Sequence, residues 1–348
     1  MRTEKTLAKK IQNLLHKAGM PSAVDAAALV PLTGGGSDRV FLRLQAGGTT
    51  LVVMAGALPR YDIHSYIDVG TFLFQHGIGV PRIVASDEEE YIVLMEDLGD
   101  DSLYALAKRA ATAGERTGYY RKVLVGLAEM QVKTAADLPS CSYLRGRRFG
   151  YEAFRWETDY FTECFLKGFC GFAIENDQEL DLEFHVLAET LSREPRYFMH
   201  RDFQSQNIYF KDGAVRYIDF QTATKGLLQY DAVSLLKDAY VVLEDRQRED
   251  LLHFYLDTLI GTWRLAVDKE AFVRTFNLTG LQRNMQALGA FAYLSRDKGK
   301  TAFAVHIPAA LSYLATALRE LPEFPLLRGL VEKAGEMIHA RILNTNPE

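Results

Sequence analysis

The chain has 348 residues, room for two lobes or domains, and its 48% hydrophobic and 24% charged residues are an ordinary globular balance. A formal net charge of −5 with a pI near 6.0 argues against a general nucleic-acid binder, which needs a basic face. Three cysteines, Cys141, Cys164 and Cys170, give no disulfide framework and point to a reducing compartment, the cytoplasm.

Residues 1–16 set Leu7, Ile11, Leu14 and Leu15 at helical spacing among charged residues. This predicts an amphipathic helix on the first lobe rather than a signal peptide, and no apolar run in the chain approaches a membrane span. Next comes Leu32-Thr33-Gly34-Gly35-Gly36-Ser37-Asp38-Arg39. Such a glycine-rich turn is either an ordinary loop or a nest of backbone N–H groups able to cradle phosphate. Residues 40–44 and 50–54 flank Gly47-Gly48 and read as a hairpin. Residues 66–76 read as a helix closed by Gly77, and residues 81–85 and 91–95 as two more strands. Protein kinases carry a lysine on the strand that here holds Val53 and Met54. Its absence leaves Arg39 and Arg43 as the nearest substitute cations, unless metal ions carry that charge.

Composition changes at Glu96-Asp97-Leu98-Gly99-Asp100. Beyond it, residues 153–172, 180–191, 230–243, 249–266, 304–321 and 326–342 carry apolar residues at helical spacing. A strand-rich lobe over 1–98 and a helical lobe over 99–348 make an α+β, two-lobe fold with a cleft for a nucleotide between them.

The chemistry lies in His200-Arg201-Asp202-Phe203-Gln204-Ser205-Gln206-Asn207 and, twelve residues after the Asn, Asp219. Residues 208–210 and 215–218 read as strands around a Lys211-Asp212-Gly213 turn, which brings Asn207 and Asp219 side by side at the hairpin's open end. An Asp can accept the proton of an attacking hydroxyl, while an Asn and a second Asp suit Mg²⁺ bridging the phosphates of ATP. Taken singly, each of these residues could be a turn former. Only eleven residues separate Asp219 from Asp231, with 222–226 read as a plain turn. That leaves no platform for a peptide substrate, so a small acceptor is expected.

These motifs resemble the aminoglycoside phosphotransferase/choline kinase superfamily, whose fold is protein-kinase-like. The segments 230–240, 280–284 and 294–300 make the chain most similar to its bacterial N-acetylmuramate/N-acetylglucosamine anomeric kinases. The resemblance implies Mg²⁺ and ATP, with Asp202 catalytic, Asn207 and Asp219 as metal ligands, and His200 and Asp231 supporting the loop. It further implies nucleotide contacts from Gly34, Gly35, Gly36 and Ser37 and from a hinge at Met95, Glu96 and Leu98. Arg283 and Lys298 are the cations available for a carboxylate on a sugar acceptor, although Arg283 could equally cap a helix or pair with an acid. Trp156 and Tyr160 could stack on a sugar, but their spacing also fits core packing. Gln206 departs from the sugar-kinase pattern, which usually has Arg there. Other acceptors, such as an aminoglycoside or a choline-like alcohol, remain open, as does a nucleotide-binding scaffold without turnover. No nucleic-acid or membrane partner is expected, and the oligomeric state is left open.

Overall fold

The computed structural model describes residues 2–20, 29–32, 39–46, 48–55, 60–174 and 177–345, so Gly34, Gly35, Gly36 and Ser37 lie outside the described residues. The N-terminal sheet has the order β1-β2-β3-β5-β4, antiparallel throughout. Its strands are β1 (Val30–Leu32), β2 (Val40–Ala46), β3 (Thr49–Ala55), β4 (Ile83–Asp87) and β5 (Ile92–Glu96). Helix α1 (Arg2–Lys17) covers one face and α2 (Arg60–Gln75) the other.

Strand β3 shows why both helices are needed. Leu51, Val53 and Ala55 pack with Ile11, Leu14 and Leu15 of α1, whereas Val52 and Met54 pack with Ile63, Tyr66 and Val69 of α2. A strand covered on both faces has no solvent side, and Leu51 to Ala55 are buried without interruption. A lysine there would be desolvated unless it were paired.

Nine helices among the described residues build the C-terminal lobe. They are α3 (Leu103–Arg109), α4 (Ala113–Lys133), α5 (Tyr151–Tyr160), α6 (Asp177–Ser192), α7 (Leu228–Leu236), α8 (Asp245–Asp257), α9 (Lys269–Arg296), α10 (Ile307–Arg319) and α11 (Pro325–Thr345). Helix α5 runs on as π-helical turns over Phe161–Phe169, and α8 over Thr258–Thr262. Two small sheets interrupt the helices: β6 (Tyr197–Met199) pairs with β9 (Thr224–Gly226), and β7 (Ile208–Lys211) with β8 (Ala214–Tyr217).

Several expectations need correction. Residues 224–226 are strand β9, not part of a plain turn, and pair with the strand that enters the catalytic loop. Helix α7 stops at Leu236 rather than 243, because the Asp238 carboxylate is drawn to the backbone N–H groups of Ser205 and Tyr240. Residues 301–319 form a 19-residue helical stretch apolar and long enough to cross a bilayer by length and composition. In the fold one face of it enters the core, with Ile307, Ala310, Leu311, Leu314 and Leu318 buried alongside residues of α9 and α11. Trp156 is no core residue: it is 57% exposed and stacks on Tyr160 at 5.1 Å between ring centroids. The three cysteines are unpaired.

Among the contacts that seat the sheet lobe on the helical lobe are those of Asp68 and Gly79. The Asp68 carboxylate of α2 accepts from the N–H of Tyr143 (2.6 Å) and the hydroxyl of Ser142 (3.0 Å). Ahead of β4, the Gly79 carbonyl accepts from Tyr217 N–H at 2.7 Å, and a Cβ on Gly79 would lie 2.2 Å from the Val215 carbonyl oxygen. Gly79→Ala therefore forces the β7–β8 hairpin away from the sheet lobe. A loss of roughly 1–3 kcal/mol is expected in denaturant unfolding, and an unchanged midpoint would refute this close fit.

Candidate active site

The β7–β8 hairpin places two of the oxygen-bearing side chains. Asp212 (φ 52°) and Gly213 (φ 77°) both take the left-handed conformation that a tight two-residue turn demands. The pairing runs from Lys211↔Ala214 to Ile208↔Tyr217 and is extended by Ile218 N–H to the Asn207 carbonyl at 3.0 Å. Asp219 then turns left-handed (φ 66°, ψ 32°), and its Oδ2 accepts a long hydrogen bond of 3.5 Å from Asn207 Nδ2. The same Nδ2 donates to the Asp202 carbonyl at 2.9 Å, so all three residues are linked.

The loop between β6 and β7 is fixed from below by Asp231, on the first turn of α7. Its fully buried carboxylate accepts from the N–H groups of His200 (2.7 Å) and Arg201 (3.0 Å). Arg201 meets it with φ 75°, and its guanidinium lies 5.2 Å from the centre of the Phe149 ring. Burial pushes the Asp231 carboxyl up to about 7 even though the two donors favour its charged form. His200 donates its Nε2–H to the Ile218 carbonyl (3.0 Å), which ties the loop to the hairpin end. Burial holds its imidazole below the ordinary value against the pull of Asp202 and Asp219. A neutral ring then donates Nε2–H to that carbonyl and leaves Nδ1 as a buried acceptor. Asp202 itself is held by the Thr222 hydroxyl, which donates to its Oδ2 at 3.2 Å. Gln221 Nε2 donates to Asp219 Oδ1 at 2.9 Å.

On the far side of Asp202, Arg283 of α9 donates from Nε to Ser234 Oγ (3.0 Å) and from Nη1 to Gln286 Oε1 (2.7 Å). Burial works against its charge, but the fields of Tyr230, Asp202, Glu157 and Asp238 outweigh it and hold the guanidinium protonated. The other acids are engaged as well. Glu157, fully buried, accepts from Tyr230 OH (2.7 Å) and Gln282 Nε2 (2.9 Å), and Asp238 accepts from Ser205 N–H (2.8 Å). Lys298 stands apart, in the exposed turn after α9, its ammonium 5.8 Å from the centre of the Tyr293 ring. No hydrogen bond or ion pair joins it to Asp202, Asn207 or Asp219.

At the hinge, Met95 is buried and receives the Tyr66 hydroxyl on its sulfur at 3.0 Å, and Leu98 is 7% exposed. The Glu96 carboxylate binds Lys211 (2.7 Å) and the Arg82 N–H (3.2 Å). Burial alone would raise the Glu96 carboxyl, yet these donors overrule it and keep it below its ordinary value. Arg43 donates to Asp97 (3.1 Å) and Asp100 (2.9 Å). Arg39 alone of the two candidate arginines crosses to the chemistry, with its Nη2 2.5 Å from Asp219 Oδ1.

The donor set suits a hard divalent cation. Asn207 commits Nδ2 as a donor and so presents Oδ1 as an amide oxygen, Asp219 adds a carboxylate, and Mg²⁺ needs only one or two such protein ligands beside phosphate and water oxygens. No cluster of three His, Cys, Asp or Glu side chains, as zinc would prefer, occurs among the described residues. Thr222, Gln221 and Asp238 were not assigned site roles from sequence. The nearest signal is position, since Gln221 and Thr222 directly follow Asp219-Phe220 and Asp238 follows the buried face of α7.

Comparison with known proteins places this arrangement. The profile of the phosphotransferase enzyme family (APH) matches residues 28–267. The N-acetylmuramate/N-acetylglucosamine kinase of Pseudomonas aeruginosa is 29% identical over 314 residues, covering 88% of this chain and 89% of the relative. The kinase of the same name from Neisseria meningitidis is 27% identical over 309 residues, covering 86% and 88%. Among solved structures, a choline/ethanolamine kinase family protein from Mesorhizobium loti superposes with a TM-score of 0.61 at 14% identity, covering 95% of this chain and 99% of that one. With the family profile spanning more than half of its length, the chain belongs to the phosphotransferase enzyme family.

Proposed function

We propose that the protein transfers the γ-phosphate of Mg-ATP to the anomeric hydroxyl of an N-acetylated amino sugar, N-acetylglucosamine or N-acetylmuramate. The observation that carries this reading is the linkage of Asp202, Asn207 and Asp219 through one side-chain amide, beside the partly buried Arg283. The acceptor class rests on the names of the relatives aligned along most of the chain.

Asp202 orients the acceptor hydroxyl and takes its proton as the oxygen bonds to the γ-phosphorus and the bond to the β-phosphate oxygen breaks. Thr222 holds the carboxylate through Oδ2, so Oδ1 is the oxygen available to the hydroxyl. Asn207 Oδ1 and Asp219 would hold Mg²⁺, and the bound cation would supply charge that offsets that of the phosphate oxygens. Acceleration comes from positioning and charge stabilisation more than from base strength. Hinge contacts to adenine fall to the backbone near Leu98, because the Glu96 carboxylate and the Asp97 carbonyl are already bound to Lys211.

The charge pattern favours a neutral or anionic sugar over a cationic acceptor. Glu157, Asp231 and Asp238 act on the same Arg283 as Asp202 does or on Asp202 itself, but they are buried and bonded to protein donors, so they make no open acidic wall for an ammonium group. Arg283, already balanced by those acids, offers an acceptor carbonyl or carboxylate a hydrogen bond rather than a large net charge.

Asp202→Asn should lower kcat by roughly 10²- to 10⁴-fold with either sugar while ATP affinity, measured by calorimetry, stays within a few fold. A variant as fast as the wild type would end the catalytic assignment. Thr222→Val should cost about tenfold in kcat with little change in KM, since it frees the Asp202 side chain without touching substrate. An equal loss in kcat and sugar affinity would place Thr222 in the acceptor site instead.

A further inference from the structure

A phosphate-transfer cleft needs positive charge from the sheet lobe, and the usual source is a strand lysine paired with a helix glutamate. Here the corresponding surfaces are apolar. Strand β3 offers Val52 and Met54 to α2, and α2 answers with Ile63, Tyr66 and Val69. The Tyr66 hydroxyl bonds the Met95 sulfur. Of the other basic side chains near the cleft, Arg43 is held by Asp97 and Asp100, and Lys211 by Glu96 and the Asp97 carbonyl. Both fasten the hinge. In the catalytic loop, position 206 is a neutral glutamine.

Arg39 is the described residue that follows the glycine-rich segment and immediately precedes β2. Its side chain is 10% exposed, its guanidinium lies 5.9 Å from the Phe41 ring centre, and its Nη2 reaches Asp219 across the cleft. We propose that Arg39 supplies the positive charge that β3 lacks, exchanging Asp219 for the phosphate oxygens of the bound nucleotide. The proposal rests on the Mg-ATP reading above. Its logic is charge competition. Asp219 cannot serve both a guanidinium and a divalent cation at full strength, and a guanidinium released beside Asp219 is suited by geometry to two phosphate oxygens at once. A second consequence is that Arg39 keeps the Asp219 carboxylate oriented and compensated before the nucleotide arrives.

The alternative is that Arg39 is only a strut between the lobes, and binding measurements separate the two. Calorimetric titration of Mg-ATP, Mg-ADP and adenosine into the wild type, Arg39→Met and Arg39→Lys tests it without reference to turnover. Arg39→Met is expected to bind Mg-ATP about ten- to a hundredfold more weakly, to bind adenosine within twofold of the wild type, and to be partly restored by lysine. Parallel loss of ATP and adenosine affinity, or unchanged ATP affinity, would overturn the proposal while leaving the kinase reading intact. A wild type that binds adenosine but gains nothing from the phosphates would overturn both.

Discussion

Everything at the centre of this molecule hangs from the buried carboxylate of Asp231. By accepting the N–H groups of His200 and Arg201 it fixes a backbone turn that a β-carbon disfavours, with Arg201 at φ 75°. That turn aims His200 at the Ile218 carbonyl, and so docks the loop on the end of the hairpin. Asp219 follows in its own left-handed turn and meets Asn207. Hydrogen bonds to a charged acceptor contribute about 1.5–3 kcal/mol each, and these two offset part of the burial cost that still raises the Asp231 carboxyl. Asp202 is therefore positioned by a loop that is held from below through buried side chains.

The same economy explains the sheet lobe. Enclosing β3 between α1 and α2 gives a dry, close-packed sheet but removes any place for an uncompensated lysine. Positive charge sits instead on β2 and just ahead of it, where Arg43 and Arg39 meet the acids at 97 and 100 and Asp219. The hinge is thus an ionic clamp, with Arg43 and Lys211 gripping Asp97, Asp100 and Glu96 from two different lobes.

Local chemistry was legible in the sequence. Asp212-Gly213 specified the hairpin turn, and the hairpin in turn specified that Asn207 and Asp219 are neighbours. Apart from Asp231, which the family resemblance marked, the constraints that cross the chain were not. Thr222 meets Asp202 over twenty positions and Ser205 meets Asp238 over thirty-three, distances at which no periodicity speaks. Helix α7 looked longer because residues 237–243 keep apolar spacing, while the pull of Asp238 on the catalytic loop ends it early. Helix α9 escaped notice for a different reason. Packed by α5, α7 and α10, it buries Thr279, Gln282 and Asn284 as well as its leucines, so no single apolar stripe marks it. Lys298, of the 294–300 segment that carries the resemblance, lies in an exposed turn.

The most direct test is phosphorus and proton NMR of the product formed from Mg-ATP with N-acetylglucosamine and with N-acetylmuramate, using Asp202→Asn as the control. The account predicts a sugar phosphate whose phosphorus couples to the anomeric proton and which is absent with the variant. Phosphate on another hydroxyl, or no sugar phosphate while ATP binds normally, would contradict it.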